Sequence, residues 1–153
     1  MLPDDRDYMD LALRLAVEAG TQGEVPIGAI VIHEGEVIAS AANRRERDHD
    51  PTAHAEVLAL REAGRLLGSW RLHECTLFVT LEPCPMCMGA AINARLDRLV
   101  FACRDPKAGA AVSLFALGSD ERLNHRLILT EGVRRNEASE LLSNFFAGLR
   151  GPR

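Results

Sequence analysis

The sequence predicts an α/β fold in which a mixed β-sheet is covered by helices on both faces. Segments with helical spacing alternate with short β-rich segments, and one strand–helix–strand order is that of a parallel pair with a right-handed crossover. The third observation is size, because 153 residues with 47% hydrophobic content are enough for one core. We therefore expect a single domain over residues 1–153.

The first half of the chain predicts a helix, a hairpin and a second helix. Gly20 supplies a stop for the first helix, and Glu34-Gly35 is typical of a hairpin turn. Asp50 is a plausible N-cap with Pro51 at the first helical position, and Gly68 ends that helix. The predicted elements are a helix over 7–19, strands over 27–33 and 36–41, a polar loop over 43–50 and a helix from Pro51 to about Leu67.

The second half predicts the parallel unit and a closing helix. Leu81-Glu82 forms a turn after a short strand, and Pro83 can begin the helix that follows. The predicted elements are a strand over 76–80, a helix over 83–94, strands over 99–103 and 127–130, and a helix over 136–149.

Composition limits the class of protein. The net charge of −4 argues against nonspecific coating of nucleic acid, which requires a large positive field. No apolar run is long enough to cross a bilayer, and the acidic N-terminus does not resemble a secretory signal. We therefore expect a soluble, cytoplasmic protein without membrane association, whose paired thiols bind metal or act in redox chemistry. Cys75 and Cys103 stand alone and are predicted to be small buried hydrophobic residues.

Two short motifs carry the candidate chemistry. Pro51-Thr52-Ala53-His54-Ala55-Glu56 places an imidazole and a carboxylate at the predicted start of a helix, and Pro83-Cys84-Pro85-Met86-Cys87 places two thiols at the start of another. His54, Cys84 and Cys87 supply three ligands that Zn²⁺ accepts in a tetrahedral site, with the fourth position left for water. Helix N-termini favour thiolates over thiols.

Glu56 is then left to move protons. A carboxylate beside a metal-activated water can take its proton and hand it to a leaving group. The set suits hydrolysis at an amidine-like carbon with loss of ammonia.

Each motif has a simpler interpretation when taken alone. His-x-Glu by itself is nearly uninformative, and Cys-x-x-Cys between a strand and a helix also fits a thioredoxin-like redox pair, although that leaves His54 and Glu56 without a role. A structural zinc site is a further alternative, with Cys75, Cys103 or His73 as fourth ligand.

The combined motifs resemble the zinc-dependent cytidine deaminase superfamily, whose signature is His-x-Glu followed by Pro-Cys-x-x-Cys. Over nearly the whole chain the sequence is similar to the bacterial tRNA-specific adenosine deaminases. Ala138 departs from some relatives, in which a cysteine is expected. The segments that carry this closer resemblance are 24–29, 43–44, 49–56, 80–84, 104–110, 123–126 and 141–146.

The resemblance implies a three-layer α/β/α sandwich with a five-stranded mixed sheet, a homodimer, and one Zn²⁺ per subunit. It implies conversion of adenosine to inosine at the wobble position of transfer RNA, through zinc-bound hydroxide and a glutamate proton shuttle. By position, His54, Cys84 and Cys87 match the zinc ligands and Glu56 the shuttle. Asn43 matches a contact to the target nucleoside, and Arg104 and Asn124 match positions near the bound anticodon loop.

The predicted topology gives physical support to part of this assignment. The strands before Glu82 and before Arg104 are predicted to be parallel, so both end at the same edge of the sheet, where ligands bind in open α/β folds. Arg104, Asp105 and Lys107 should therefore lie at the rim of the zinc pocket, where a guanidinium can hold phosphate or stack on an unpaired base. The alternative substrate is a free base, nucleoside or nucleotide of the cytidine or guanine type.

Overall fold

The computed structural model describes residues 2–150, which form a five-stranded sheet with four α-helices around it. The strand order is β2-β1-β3-β4-β5; β1 is antiparallel to β2 and β3, whereas β3, β4 and β5 are parallel. The predicted α/β class and the parallel β3–α3–β4 unit are confirmed. In chain order the elements are α1 (Asp5–Thr21), β1 (Gly28–His33), β2 (Glu36–Ala42), α2 (Ala55–Leu67), β3 (Cys75–Leu81), α3 (Pro85–Asn93), β4 (Arg98–Cys103), a 3-10 helix (Leu117–Ser119), β5 (Ile128–Glu131) and α4 (Arg135–Arg150).

Alternate residues of the central strands face two separate apolar layers. In β3, Leu77 and Val79 pack toward α2 and α3, whereas Phe78 packs toward α1 and α4. This alternation follows from the two-residue period of a strand and requires helices on both faces. The result is the three-layer α/β/α arrangement. Helix residues in the two layers include Ala59 of α2 and Met88 of α3 on one face, and Met9 of α1 and Ala138 of α4 on the other.

The hairpin and the first helix show how local sequence sets the element ends. Glu34 and Gly35 have φ values of 52° and 78°, the pair of positive angles that a tight hairpin between twisted strands favours. α1 begins earlier than predicted because Asp4 and Asp7 form a reciprocal capping box at its N-terminus. Among the helices of residues 2–150, none combines the length and the apolar character that a membrane crossing requires.

Gly28 permits the close approach of α1 to β1. A Cβ atom at this position would overlap the carbonyl oxygen of Ala12 and crowd the backbone nitrogen of Ala16. We expect Gly28→Ala to lower the free energy of unfolding by about 1–3 kcal/mol or more, because a buried helix backbone must move. Gly148→Ala is the control, since nothing lies within 4 Å of a Cβ atom there. Urea titrations measure both, and equal stability of the two variants would contradict this packing argument.

Candidate active site

The two motif segments meet at the edge of the sheet where β3 and β4 end. α2 begins directly after His54 and α3 directly after Cys84, so these two residues are the N-caps. The predicted helix starts at Pro51 and Pro83 are therefore too early. Neither N-cap side chain makes a capping hydrogen bond. Both are consequently free for another partner at the point where the two helices converge.

His54, Cys84 and Cys87 place one imidazole and two sulfurs within 4.8 Å of one another. The Nδ1 atom of His54 lies 3.6 Å from Sγ of Cys84 and 3.5 Å from Sγ of Cys87. A tetrahedral zinc ion with bonds of about 2.3 Å to sulfur and about 2.0 to 2.1 Å to nitrogen separates these atoms by about 3.6 Å. The spacing and the chemistry of the three donors therefore fit Zn²⁺, and they leave one of its four corners to a different ligand.

The same contacts polarise the donor groups. With the Cys87 thiol as hydrogen-bond donor and His54 beside it, the pKa of Cys84 falls to about 4. The hydrogen bond with Cys84 raises the pKa of His54, and the Cys84 sulfur together with burial raises the pKa of Cys87. Cys84 is therefore a thiolate at neutral pH, which is the form that binds metal.

Glu56 lies in the first turn of α2 and is only 4% exposed. Burial raises the pKa of its carboxyl to about 7. It lines the same cavity as His54 and Cys84. A carboxyl with this pKa holds and releases a proton near neutral pH, as general acid–base chemistry requires.

A cavity of about 730 Å³ opens over these residues. Its size is within the range of small-molecule sites and is sufficient for a nucleoside. Most of the wall comes from three segments: the loop after β2, the loop after β4, and one face of α4. Wall residues include Asn43 and Arg45 from the first loop, Arg104, Asp105 and Lys107 from the second, and Ser139, Leu142, Ser143 and Phe146 from α4.

Four of the five predicted substrate contacts lie at this cavity. Asn43, Arg104, Asp105 and Lys107 line it, whereas Asn124 is exposed in the turn before β5 and is outside the described lining. The Arg104 guanidinium is held by the Glu131 carboxylate at 2.8 and 3.0 Å. The parallel β3–β4 pair explains why the loop after β4 reaches the cavity, whereas nothing comparable carries the loop before β5 there.

Asn43 is 2% exposed and has an unsatisfied acceptor. Its Nδ2 atom donates to the carbonyl oxygen of Val25 at 3.4 Å, and its Oδ1 atom has no hydrogen-bond partner among the described residues. A buried polar atom without a partner costs about 1–3 kcal/mol. A hydrogen-bond donor on a ligand in the cavity would remove this cost.

Sequence reasoning did not identify the wall formed by α4. Ser139, Leu142, Ser143 and Phe146 recur at the spacing of one helix face, which could have indicated a common surface. It could not indicate that this face lies at the same cavity as His54 and Cys84, which are far away in the sequence. Arg45 was also not predicted, although it lies two residues after the predicted contact Asn43.

The alternative fourth ligands do not join the metal-binding group. Among residues 2–150, the ligand atoms that converge on His54 are those of Cys84 and Cys87 alone, so Cys75, Cys103 and His73 lie outside the group. Cys75 and Cys103 are instead buried, as predicted. Burial raises the pKa of both thiols to about 11. The described chain thus provides three donors and an adjacent open cavity, which is typical of catalytic and not of structural zinc.

Comparison with known proteins gives consistent results over nearly the full chain. The family model described as MafB19-like deaminase matches residues 3–150. The tRNA-specific adenosine deaminase of Bacillus subtilis is 46% identical over 149 residues, which cover 97% of this chain and 92% of the relative. A structure from studies of A-to-I editing by tRNA:A34 deaminases superposes with a TM-score of 0.86 at 42% identity, over 88% of this chain and 98% of the other. A guanine deaminase from Nitrosomonas europaea superposes with a TM-score of 0.83 at 27% identity, over 96% and 87% of the two chains.

Proposed function

The chain belongs to the tRNA-specific adenosine deaminases, and from this premise we propose that it hydrolyses adenosine to inosine at the wobble position of a transfer RNA anticodon. One observation carries the proposal: an imidazole, two sulfurs and a buried carboxyl converge at the floor of one cavity. Hydrolytic base deaminases use this combination of groups.

The metal in this proposal is one Zn²⁺ per subunit, held by Nδ1 of His54 and by the sulfurs of Cys84 and Cys87. The support is the donor spacing, with 3.6 and 3.5 Å between nitrogen and sulfur. When bound, zinc supplies a Lewis acid that makes a water nucleophilic near neutral pH.

The proton transfers belong to Glu56. Its carboxylate accepts a proton from the attacking water and gives it to N1 of the base as oxygen adds to C6. It then accepts the proton of the added hydroxyl and gives it to the amino group, which leaves C6 as ammonia. A pKa of about 7 suits both directions of transfer. Burial also removes bulk water, which would otherwise compete for the proton.

The walls of the cavity bind the RNA in this proposal. Asn43 offers its unpaired Oδ1 acceptor to a donor on the flipped nucleoside. Arg104 and Lys107 supply positive charge to the backbone of the anticodon loop, and Asp105 accepts hydrogen bonds from the backbone amides of Lys107 and Ala108. Asn124 is assigned a more distant contact to the anticodon stem-loop, outside the cavity.

Asn43→Ala should reduce kcat/KM on an anticodon stem-loop by about 10- to 100-fold. A lost hydrogen bond between a buried acceptor and substrate corresponds to about 1–3 kcal/mol. Asn136→Ala, at an exposed position at the start of α4, is the control and should leave kcat/KM unchanged. Inosine formation under single-turnover conditions measures both variants. Equal kcat/KM values for Asn43→Ala and the parent would show that Asn43 does not bind the substrate.

The substrate assignment has a direct test. The protein is incubated with an anticodon stem-loop, free adenosine, free cytidine and free guanine, and ammonia and inosine are measured. We expect inosine at the wobble adenosine and little reaction with the free compounds. Activity confined to free guanine or cytidine would instead favour a small-molecule deaminase. The structural similarity to a guanine deaminase is the reason for including this alternative.

Two further assignments rest on family membership. The protein is assigned a homodimer, with the outer face of α3 at the interface: Met86 is 37% exposed there, whereas Met88 is buried in the core. Sedimentation of the purified protein tests this assignment, and a monomer at micromolar concentration would contradict it. A transfer RNA substrate places the enzyme in the cytoplasm.

A further inference from the structure

Two carboxylates that bind no metal in this scheme are buried beside the cavity. Glu24 is 0% exposed and Glu82 is 2% exposed. Carboxylates are rarely buried unless other groups compensate their charge. Here the compensation comes mainly from backbone amides of two loops, each of which forms part of the cavity wall.

The Glu82 carboxylate accepts hydrogen bonds from several positions of the loop that follows β4. Its Oε2 atom accepts hydrogen bonds from the backbone amides of Ala111, Val112 and Ser113, at 3.1, 2.8 and 2.9 Å. Its Oε1 atom accepts from the Asp105 amide at 3.0 Å and from the Ser113 hydroxyl. One side chain therefore fixes both ends of the loop.

The middle of the same loop is shaped around this carboxylate. Gly109 lies directly against it, and a Cβ atom at that position would overlap the carboxyl group of Glu82. The Gly109 amide also donates to the carbonyl oxygen of Asp105 at 2.8 Å. The loop is thus wrapped over the charge, with Arg104 and Lys107 carried on its cavity side.

Glu24 does the same for the loop that follows β2. Its Oε1 atom accepts from the Glu46 amide at 3.0 Å and its Oε2 atom from the Arg47 amide at 2.8 Å. The Arg47 side chain lies 3.7 Å from the same carboxylate. Asn43 and Arg45, which line the cavity, belong to this loop.

We propose that Glu24 and Glu82 are positioning residues for deamination, each holding one wall of the cavity in the shape that accepts the RNA loop. This inference rests on the proposed function. Loops ordered before binding spare the complex the entropy of ordering them, so their loss should appear in substrate affinity. Glu24 lies outside the cavity lining, and both oxygens of Glu82, which does line the cavity, are occupied by donors of the loop, so the chemical step should change little.

Glu82→Gln tests the first wall. Both carboxylate oxygens accept from backbone amides, so in either orientation the amide NH₂ of glutamine faces at least one backbone N–H donor and is repelled by it. We expect KM for the anticodon stem-loop to rise about tenfold or more, with kcat within about threefold and zinc content unchanged. Glu24→Gln should act in the same direction through the other wall.

The matched control is Asp5→Asn. Asp5 pairs with Arg98 at 2.6 and 2.9 Å at the start of β4, the end of the sheet away from the cavity. Its replacement weakens a structural contact and should lower the melting temperature while leaving KM and kcat unchanged. If the Gln variants change KM no more than this control at a similar loss of melting temperature, or lower kcat at constant KM, the inference is overturned.

Two further outcomes are decisive. If Glu82→Gln does not fold, Ser113→Ala removes only the hydroxyl contact to Glu82, and we expect KM to rise about threefold; an unchanged KM overturns the inference for this wall.

The parent on the same stem-loop is the reference. Absence of inosine there refutes the proposed function and this inference together, whereas an active parent with unaffected variants refutes this inference alone.

Discussion

Glu56→Ala is expected to lower kcat on an anticodon stem-loop by about 10²- to 10⁴-fold or more, which is the usual contribution of a general acid–base group. Zinc should remain at about one ion per subunit, because Glu56 is not one of the three converging donors. The fold should also persist, since the substitution removes a buried carboxyl and adds none. Inosine formation and zinc content are measured on the same preparation.

A second substitution separates proton transfer from packing. Glu56→Gln keeps the volume of the side chain but replaces the ionisable carboxyl with an amide that cannot take up and release a proton near neutral pH, so it should be as inactive as the alanine variant. Glu62→Ala, in the same helix but on its exposed face, is the control and should retain parental activity. Parental turnover in either Glu56 variant would show that the proton passes through another group.

Cys84→Ala should abolish both metal binding and turnover. Residues that only orient a metal ligand are worth about 10- to 100-fold in metal affinity, so removal of a ligand should weaken binding by more than about 100-fold. Activity should fall in proportion to the zinc lost. Zinc stoichiometry after gel filtration and inosine formation measure the two effects.

The control for the thiol is Cys75→Ala. Cys75 is a buried core residue outside the metal-binding group, so this variant should lose some stability and keep its zinc. Exhaustive removal of divalent ions from the parent should reproduce the Cys84→Ala result, and added zinc should restore activity to the parent alone. Full turnover of metal-depleted parent would exclude the assigned chemistry.

Local signals in the sequence predicted most of the fold. The hairpin at Glu34-Gly35 and the end of α2 at Gly68 follow from backbone angles that few residues adopt easily, so short motifs suffice. The parallel β3–β4 pair follows from the order of strand, helix and strand. These features depend on neighbouring residues or on chain connectivity, both of which are visible in the sequence.

The helix starts at the site were the least predictable boundaries. Asp50-Pro51 has the composition of an N-terminus, but the Asp50 carboxylate instead closes a turn by accepting from the amide and hydroxyl of Thr52. α2 then begins directly after His54, the N-cap residue, whose side chain makes no capping hydrogen bond. Capping preferences describe side chains that satisfy the helix, and they fail where a side chain is directed elsewhere.

The candidate donors were predictable from the sequence, whereas the walls of the cavity were only partly so. His-x-Glu and Cys-x-x-Cys combine unusual residue types at fixed spacing, so they stand out without a structure. The packing of α4 over the cavity depends on contacts between distant parts of the chain. The buried roles of Glu24 and Glu82 depend on which backbone amides surround them, and no local pattern records that.

Zinc binding at the N-caps of α2 and α3 should also affect the stability of the protein in the cell. A zinc ion bound by His54 and Cys84 would link two helices that begin 30 residues apart in the sequence. Any ligand specific for the native state stabilises it by about 1.4 kcal/mol for each tenfold excess over its dissociation constant. Zinc starvation would therefore increase proteolysis of the unfolded chain and lower the amount of protein. This loss would add to the loss of activity in the folded molecules that lack zinc.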